Sequence, residues 1–208
     1  RRIICVKVEP EELNKKTFLY QEQRQQATKI YAVPYSLYCD VCDELGDNEW
    51  ESKVYFLHST GRCGSTLLCK VMGNVGDFVS LSEPDIYSNI TVKNALNHGE
   101  IDKAMMKRLI KASSWMLYFA FCGKQSANPN KKLCVKLRSQ NIQIADIMKE
   151  AIPTSKSIFL YRDPFDVTDS FCAAFAKGCV MKSVNIRNIN IEDIRSTNRD
   201  SVRDRQGD

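Results

Sequence analysis

The sequence predicts an α/β fold with three layers, α/β/α, in which helices cover both faces of a central parallel sheet. From Ser52 onward, short apolar runs alternate with segments of helical periodicity, which is the pattern of repeated strand and helix. The run at residues 157–161 is almost continuously apolar, as expected of a central parallel strand. A chain of 208 residues with 43% apolar content can bury a full core, so we expect one main domain.

The first two predicted strands flank a loop of small residues. Residues 53–57 form the first strand, and the loop then leads into a helix at 65–73. A second strand at 78–81 ends at Glu83 and Pro84, where proline disfavours further regular structure. This part of the chain therefore has the order strand, loop, helix, strand.

The remaining elements follow the same alternation. Met105, Leu109 and Met116 lie on one face of a long predicted helix and form part of its core stripe. The last predicted strand ends at Arg162, and Pro164 is suited to the first turn of the next helix. The predicted elements are a helix at 101–121, a strand at 133–137, a helix at 144–151, a strand at 157–161 and a helix at 164–177.

The chain divides into three parts by composition. Residues 1–50 form an amino-terminal segment of unknown role, residues 51–180 form the main domain, and residues 181–208 form a polar tail. The chain begins with Arg1 rather than Met, so we expect a fragment of a longer protein. A span across a membrane is not expected, because no run approaches the roughly 18 consecutive apolar residues that such a helix needs.

Charge and cysteine content restrict the classes of partner. The net charge of +5 suits an enzyme that handles an anionic cofactor, and it does not demand nucleic acid. Scattered cysteines favour a reducing compartment such as the cytoplasm, although the Golgi lumen stays open if an amino-terminal anchor is missing. Cys39 and Cys42 have the spacing of a zinc pair, but no second pair of ligands accompanies them, so no metal is expected.

The loop after the first strand has the composition of a phosphate-binding site. Residues 60–68 combine glycines and hydroxyl side chains with Arg62 before a helix, so backbone amides and the helix dipole converge on an anion. Arg62 adds a fixed positive charge with forked donors. The loop of nucleotide triphosphatases requires a lysine that is missing here, which disfavours an ordinary ATPase.

This loop resembles the phosphosulfate loop of the sulfotransferases, in particular of the carbohydrate and tyrosylprotein branches. The family pattern is Arg-Ser-Gly followed by two hydroxyl residues and apolar residues, and Cys63 departs from it by replacing the serine. The resemblance implies a P-loop type of nucleotide-binding fold and the co-substrate 3'-phosphoadenosine 5'-phosphosulfate (PAPS), with no metal. The implied cofactor-binding residues of the loop are Arg62, Cys63, Gly64, Ser65, Thr66 and Leu67.

A second family motif follows the fourth predicted strand. In the sulfotransferases an arginine at a strand end and a later serine contact the 3'-phosphate, and Arg162 and Ser170 have the same spacing. Strand ends and the following helix turns meet at the edge of a parallel sheet where ligands bind, so the arrangement is physically reasonable. The alternative is that Arg162 pairs with Asp163 or Asp166 and that Ser170 is an ordinary helix residue.

The candidate catalytic residues are Glu83, Arg62 and Lys136. Glu83 looks like the glutamate base of tyrosylprotein sulfotransferases, and the alternative is a turn cap before Pro84. Lys136 resembles the family lysine near the leaving group, a role that Arg138 could also fill. Arg62 would stabilise charge at the phosphosulfate. Neither histidine lies in a family motif.

The predicted function is transfer of a sulfuryl group from PAPS to a hydroxyl acceptor, which could be a carbohydrate, a tyrosine or a small alcohol. Two alternatives stay open. Cys63 and the lack of a glycine-containing basic loop after Gly178 are compatible with a catalytically inactive, sulfotransferase-like nucleotide-binding module. A P-loop kinase or NTPase would need Mg²⁺ and a loop lysine.

Overall fold

The computed structural model describes residues 2–8, 18–45, 49–96, 102–123 and 130–176. The chain forms two compact units, Arg1–Tyr161 and Arg162–Asp208, and each is described by itself. The predicted polar tail and His98 lie outside the described residues. The division predicted from composition stays a prediction.

The first unit alternates strands and helices along the chain. Its strands are β1 (Arg2–Val8), β2 (Ala27–Pro34), β3 (Val54–Ser59), β4 (Phe78–Ser82), β5 (Lys132–Lys136) and β6 (Lys156–Leu160). Its helices are α1 (Leu19–Gln25), α2 (Tyr35–Leu45), α3 (Ser65–Asn74), α4 (Asp85–Leu96), α5 (Lys103–Cys122) and α6 (Ala145–Ala151). Short 3-10 turns at Glu51–Lys53 and Ser139–Ile144 precede β3 and α6.

The central sheet is parallel, as predicted. Its four strands have the order β4-β5-β3-β6. Lys136 of β5 lies opposite Ser82 on one side and Leu57 on the other, and Ser59 lies opposite Leu160 of β6. The carboxyl ends of all these strands therefore lie at the same edge of the sheet.

The sheet separates two apolar clusters, because successive side chains of a strand point to opposite faces. On β3, Phe56 belongs to the larger cluster with α4, α5 and α6, whereas Leu57 packs in a smaller cluster with Cys69 of α3. One layer of helices therefore lies on each face of the sheet. The α/β/α architecture predicted from the sequence is confirmed.

Two local predictions were wrong. Helix α4 begins at Asp85, directly after Pro84, where no regular structure was expected. Proline needs no amide donor at a helix start, so it is compatible with this position. Strand β6 lies at the edge of the described sheet and not at its centre, and Phe159 is 53% exposed.

The amino-terminal segment packs on the face of the sheet that carries the larger apolar cluster. Strands β1 and β2 form an antiparallel pair, and α2 buries Tyr38, Cys39 and Cys42 in the main core. The Cys42 thiol donates to the carbonyl of Ala112 in α5, at 3.4 Å. The two cysteines that have zinc spacing are thus packed in the core as free thiols.

Helix α5 is the longest helix described in the first unit, and it is capped at its start. The Asp102 carboxylate accepts a hydrogen bond from the amide of Ala104 at 2.9 Å. Trp115 of α5 is 6% exposed and stacks on Phe119, and Trp50 is 3% exposed. Trp115 therefore packs in the core, as its position in an apolar helix predicts, whereas Phe119 is 55% exposed and does not.

The second unit contains α7 (Pro164–Ala176). Asp163 precedes the helix and accepts hydrogen bonds from the amides of Phe165 at 2.9 Å and Asp166 at 3.3 Å. This aspartate therefore caps the helix, which agrees with the predicted helix start at Pro164.

Candidate functional site

The loop between β3 and α3, residues 60–64, turns sharply through backbone conformations of positive φ. The φ angles are 78° at Gly61, 50° at Arg62 and 85° at Gly64. Glycine adopts such angles readily, whereas a residue with a side chain loses roughly 1–2 kcal/mol there. The exposed Arg62 is therefore held in a strained conformation within the loop.

Strand β6 anchors this loop at the sheet edge. The carbonyl of Leu160 accepts a hydrogen bond from the amide of Thr60 at 3.2 Å and from the thiol of Cys63 at 3.6 Å. The thiol thus takes the place of a hydroxyl donor, but it donates to the protein backbone. Replacement of the family serine by Cys63 is therefore compatible with an ordered loop.

Helix α3 begins at the end of the loop. Gly64 is its N-cap, and no side chain makes a capping hydrogen bond there. A Cβ atom placed on Gly64 would meet no atom within 4 Å, so the space beside it is open. Helix amino termini have amides without intrahelical partners and favour negative charge. The predicted residues Ser65, Thr66 and Leu67 form the first turn.

Two predicted catalytic residues are in direct contact at the ends of β4 and β5. The Lys136 ammonium donates to Oε1 of Glu83, and the amide of Glu83 donates to the carbonyl of Lys136 at 2.8 Å. Arg138 Nε lies 3.2 Å from Oε2 of the same carboxylate. The Lys136 side chain is 5% exposed and the Glu83 side chain is 15% exposed, so the pair is largely shielded from water.

A further carboxylate extends this group into a charged cluster. Asp85 lies 3.2 Å from Arg138 Nη2 and 2.5 Å from Arg24 Nη2. The charged cluster is defined as Arg24, Glu83, Asp85, Lys136 and Arg138. It contains three cations and two carboxylates, so at neutral pH it has one unbalanced positive charge.

Aromatic rings from the start of α1 cover these cations. The Lys136 ammonium lies 5.4 Å from the centre of the Phe18 ring, and the Arg138 guanidinium lies 4.4 Å from the centre of the Tyr20 ring. The Arg24 guanidinium also faces Tyr20, at 5.4 Å. Cation–π contacts of this kind hold the cations in place while leaving their charge unneutralised.

Lys136 points to the face of the sheet that helix α3 covers. Burial raises the pKa of the Cys69 thiol, and the nearby positive charge of Lys136 opposes that rise. Cys69 lies on the sheet-facing side of α3 together with Ser65. Lys136 is two residues after Cys134, which packs against Cys69, so both side chains of β5 point to the face of the sheet that α3 covers.

Backbone strain coincides with the predicted site. Among the described residues, the non-glycine residues with positive φ are Arg62 at 50° and Glu83 at 58°. Strained residues persist where the surrounding structure holds them, and they are concentrated at functional sites. Both belong to the residues that the sequence predicts to be catalytic.

His58 lies on β3 just before the loop. It is 5% exposed, and its Nδ1 atom has no hydrogen-bond partner among the described residues. Burial lowers the pKa of His58, which favours the neutral ring. We therefore treat His58 as a packing residue beside the loop.

The remaining predicted residues, Arg162 and Ser170, belong to the second unit. Arg162 Nε lies 3.2 Å from Oδ2 of Asp166, one helical turn further along the chain. This ion pair is one of those named by the alternative interpretation of the motif. Ser170 is partly buried on α7. A role for either residue in cofactor binding stays a prediction.

The chain matches no protein-family model and no curated protein. The identification of a family therefore stays at the resemblance of motifs described above.

The described residues contain neither a cluster of metal ligands nor a helix able to span a membrane. Within residues 2–8, 18–45, 49–96, 102–123 and 130–176, no group of three or more His, Cys, Asp or Glu residues is arranged to hold a metal ion. In the same ranges, no helix is both long and apolar enough to cross a membrane.

Three of the five residues of the charged cluster were predicted from the sequence, and two were missed. Glu83, Lys136 and Arg138 were identified from strand ends, and they are in contact. Arg24 and Asp85 were missed. Asp85 follows the proline that was expected to end regular structure, and Arg24 approaches from a segment far away in sequence. The acidic residue directly after Pro84 was the available signal for a helix start.

Proposed function

We propose that this protein binds PAPS at the carboxyl edge of its sheet and transfers the sulfuryl group to a hydroxyl acceptor. The observation that carries the proposal is the combination of the strained 60–64 loop with the positively charged cluster at neighbouring strand ends. An anionic ligand would balance the excess positive charge there. The motif resemblance supplies the identity of the anion.

The loop would hold the 5'-phosphosulfate. The first amides of α3 would donate hydrogen bonds to its oxygens, and the Arg62 guanidinium would add charge-assisted hydrogen bonds. Gly64 leaves room for a close approach of the ligand to the backbone. Arg162 and Ser170 would contact the 3'-phosphate, which is the part of the proposal that depends on the sequence motif alone.

The reaction needs a base and a group that stabilises the leaving oxygen. A bond forms between sulfur and the acceptor oxygen, and the bond between sulfur and the bridging oxygen breaks with its electron pair on that oxygen. Lys136 would stabilise this negative charge, and Glu83 would receive the acceptor proton. Glu83 is bound to Lys136 and Arg138. It would become available as a base if Lys136 turned to the nucleotide.

The same ion pairs favour a second candidate function, an inactive nucleotide-binding module. Both oxygens of the Glu83 carboxylate are held by cations, so neither is free to contact an acceptor hydroxyl. If Lys136 keeps this contact when the nucleotide binds, the site binds the nucleotide without turnover. The two candidates share the nucleotide and differ in the chemical step.

Calorimetric titration with 3'-phosphoadenosine 5'-phosphate tests the binding step. We expect binding without added Mg²⁺, and we expect Arg62→Ala to weaken it by about 10- to 100-fold, the effect of losing hydrogen bonds to a charged group. Lys70→Ala is the matched control, because Lys70 is an exposed cation further along α3. A preference for ATP with Mg²⁺ would favour the kinase alternative and overturn the proposal.

Transfer of labelled sulfate from PAPS separates the two candidates. Labelled product from any hydroxyl acceptor would exclude the inactive module. Nucleotide binding without transfer to carbohydrate, tyrosine peptide or alcohol acceptors would favour it. We also expect Glu83→Gln to abolish transfer while nucleotide binding is retained, because glutamine cannot accept the proton.

A further inference from the structure

The first unit contains a large cavity between β1, α1, α4 and α5, on the side of the sheet opposite to α3. Its volume is about 890 Å³. This volume lies within the range of roughly 300–1,000 Å³ that is usual for small-molecule sites. No part of the proposed transfer requires this space, so the cavity needs an explanation of its own.

The inner walls of the cavity are apolar. Ile86 and Ile90 of α4 face it from one side, Met106 and Leu109 of α5 face it from another, and Ile3 of β1 closes it. These side chains also belong to the main core or pack against it. Methionine adapts its shape to irregular apolar ligands, and a polar ligand would lose its hydrogen bonds to water here. The walls therefore fit an apolar body.

The charged residues at the cavity are mostly cations. They are Arg2, Lys7, Arg24, Lys93 and a single carboxylate, Asp85. Asp85 is already bound by Arg24 and Arg138. An apolar ligand with an anionic head would match this distribution of charge, whereas an uncharged or cationic ligand would not.

One end of the cavity is suited to the anionic head. Arg24, Asp85, Asn89 and Lys93 line both the cavity and an adjoining hollow of about 330 Å³. These four polar residues lie where the two spaces meet. Because Arg24 is engaged by Asp85, the ammonium of Lys93 is the cation that we assign to the head group.

We infer that the cavity binds an amphiphile with a single apolar chain and a carboxylate head, such as a medium- or long-chain fatty acid. The chain lies between α4 and α5, and the carboxylate lies beside Lys93. The cavity shares Arg24 and Asp85 with the charged cluster, but none of its lining side chains belongs to the 60–64 loop or the first turn of α3, where the phosphosulfate would bind.

Calorimetric titration of the whole chain with decanoate tests the inference. We expect saturable binding of one decanoate, and weaker binding of 1-decanol, which has the same chain without the charge. Decanoate affinity should fall as salt is added, whereas 1-decanol affinity should not. Absence of saturable decanoate binding, or equal affinity for both probes at every salt concentration, would overturn the inference.

Variants locate the two ends of the ligand. Lys93→Gln should lower decanoate affinity about five- to tenfold and leave 1-decanol unaffected, while Lys29→Gln, at an exposed position on β2, should change neither. Leu109→Trp should fill the cavity and weaken both probes at least tenfold. Leu45→Trp is the matched control, because Leu45 is 67% exposed.

A folding control keeps this test decisive. If circular dichroism shows that Leu109→Trp is unfolded, Leu109→Asn replaces it, because asparagine has nearly the same size but places an amide in the apolar wall. Decanoate affinity that is unchanged in the folded Leu109 variant, or in Lys93→Gln, would overturn the assignment. Titration with 3'-phosphoadenosine 5'-phosphate is independent of these results, so failure of the nucleotide proposal remains distinguishable.

Discussion

The charged cluster and the apolar cavity belong to the same unit, yet they are built in opposite ways. The charged cluster takes Glu83, Lys136 and Arg138 from consecutive strand ends and holds Glu83 in a strained backbone. The cavity is formed by faces of whole helices and a strand, packed incompletely. The charged cluster therefore depends on a few specific side-chain contacts, whereas the cavity depends on space that no single residue defines.

Two buried isoleucines give the largest expected effects and test whether the cavity is incompletely packed. Ile144 is 0% exposed in the closed core, and Ile90 is 4% exposed at the cavity wall. We expect Ile144→Ala to lower the free energy of unfolding by about 4 kcal/mol and Ile90→Ala by about 2 kcal/mol, because Ile90 already has fewer packing neighbours on one side. Urea unfolding measures both. Equal losses would show that the cavity wall is packed like the core.

In the charged cluster, we expect the free energy of unfolding to depend strongly on the ion pair between Lys136 and Glu83. Lys136→Met should lower the free energy of unfolding by about 3 kcal/mol, because it leaves the shielded Glu83 carboxylate with one partner fewer. The double variant Lys136→Met with Glu83→Gln should recover most of this loss, since no unpaired charge then remains buried. Urea unfolding of the single and double variants tests this. A double variant at least as unstable as the sum of the single variants would contradict the account.

A substitution in the 60–64 loop should have a smaller effect on stability. Gly64 has a φ of 85° but open space around a Cβ atom, so Gly64→Ala should cost about 1 kcal/mol from backbone strain alone. Gly76→Ala is the matched control, because a Cβ atom there also meets no atom within 4 Å. Thermal unfolding compares the two variants. Equal melting temperatures would show that positive φ at Gly64 is not required.

The smallest expected effect is the contribution of His58 to the pH dependence of stability. The pKa of His58 is lowered by burial from 6.5, so between the lowered pKa and 6.5 the unfolded chain binds more protons than the folded chain. The contribution of His58 to stability is therefore complete above about pH 6.5 and is lost as the pH falls through the folded pKa. His58→Gln should flatten this part of a urea-unfolding profile recorded against pH. The same slope in both proteins would contradict the prediction.

Sequence patterns predicted the parallel sheet because its strands are short apolar runs separated by long helical segments. The helix at 101–121 agrees closely with Lys103–Cys122, and the helix at 65–73 agrees with Ser65–Asn74. Helix α4 was missed because its apolar residues face several neighbours and form no regular stripe. Pro84 after a strand also predicts an end to regular structure, although proline favours the start of a helix as well.

The sequence predicted the site residues that lie at strand ends. It did not predict the residues that tertiary packing brings to the site from elsewhere in the chain. Parallel strands bring their carboxyl ends together, so the proximity of Glu83 and Lys136 follows from assignment of the strands. Arg24 and Tyr20 reach the same edge from α1, and no pattern in residues 1–50 indicated this contact. The cavity was also hidden, because an apolar stripe looks the same whether it meets a partner or empty space.

The positions of the tryptophans have a consequence for spectroscopy. The chain has 2 tryptophans, and both Trp50 and Trp115 are buried in the first unit. Intrinsic fluorescence excited selectively at tryptophan therefore reports the melting of that unit and contains no emitter from the second. Cys172 is exposed on α7, so a dye attached to its thiol would give the second unit a signal of its own.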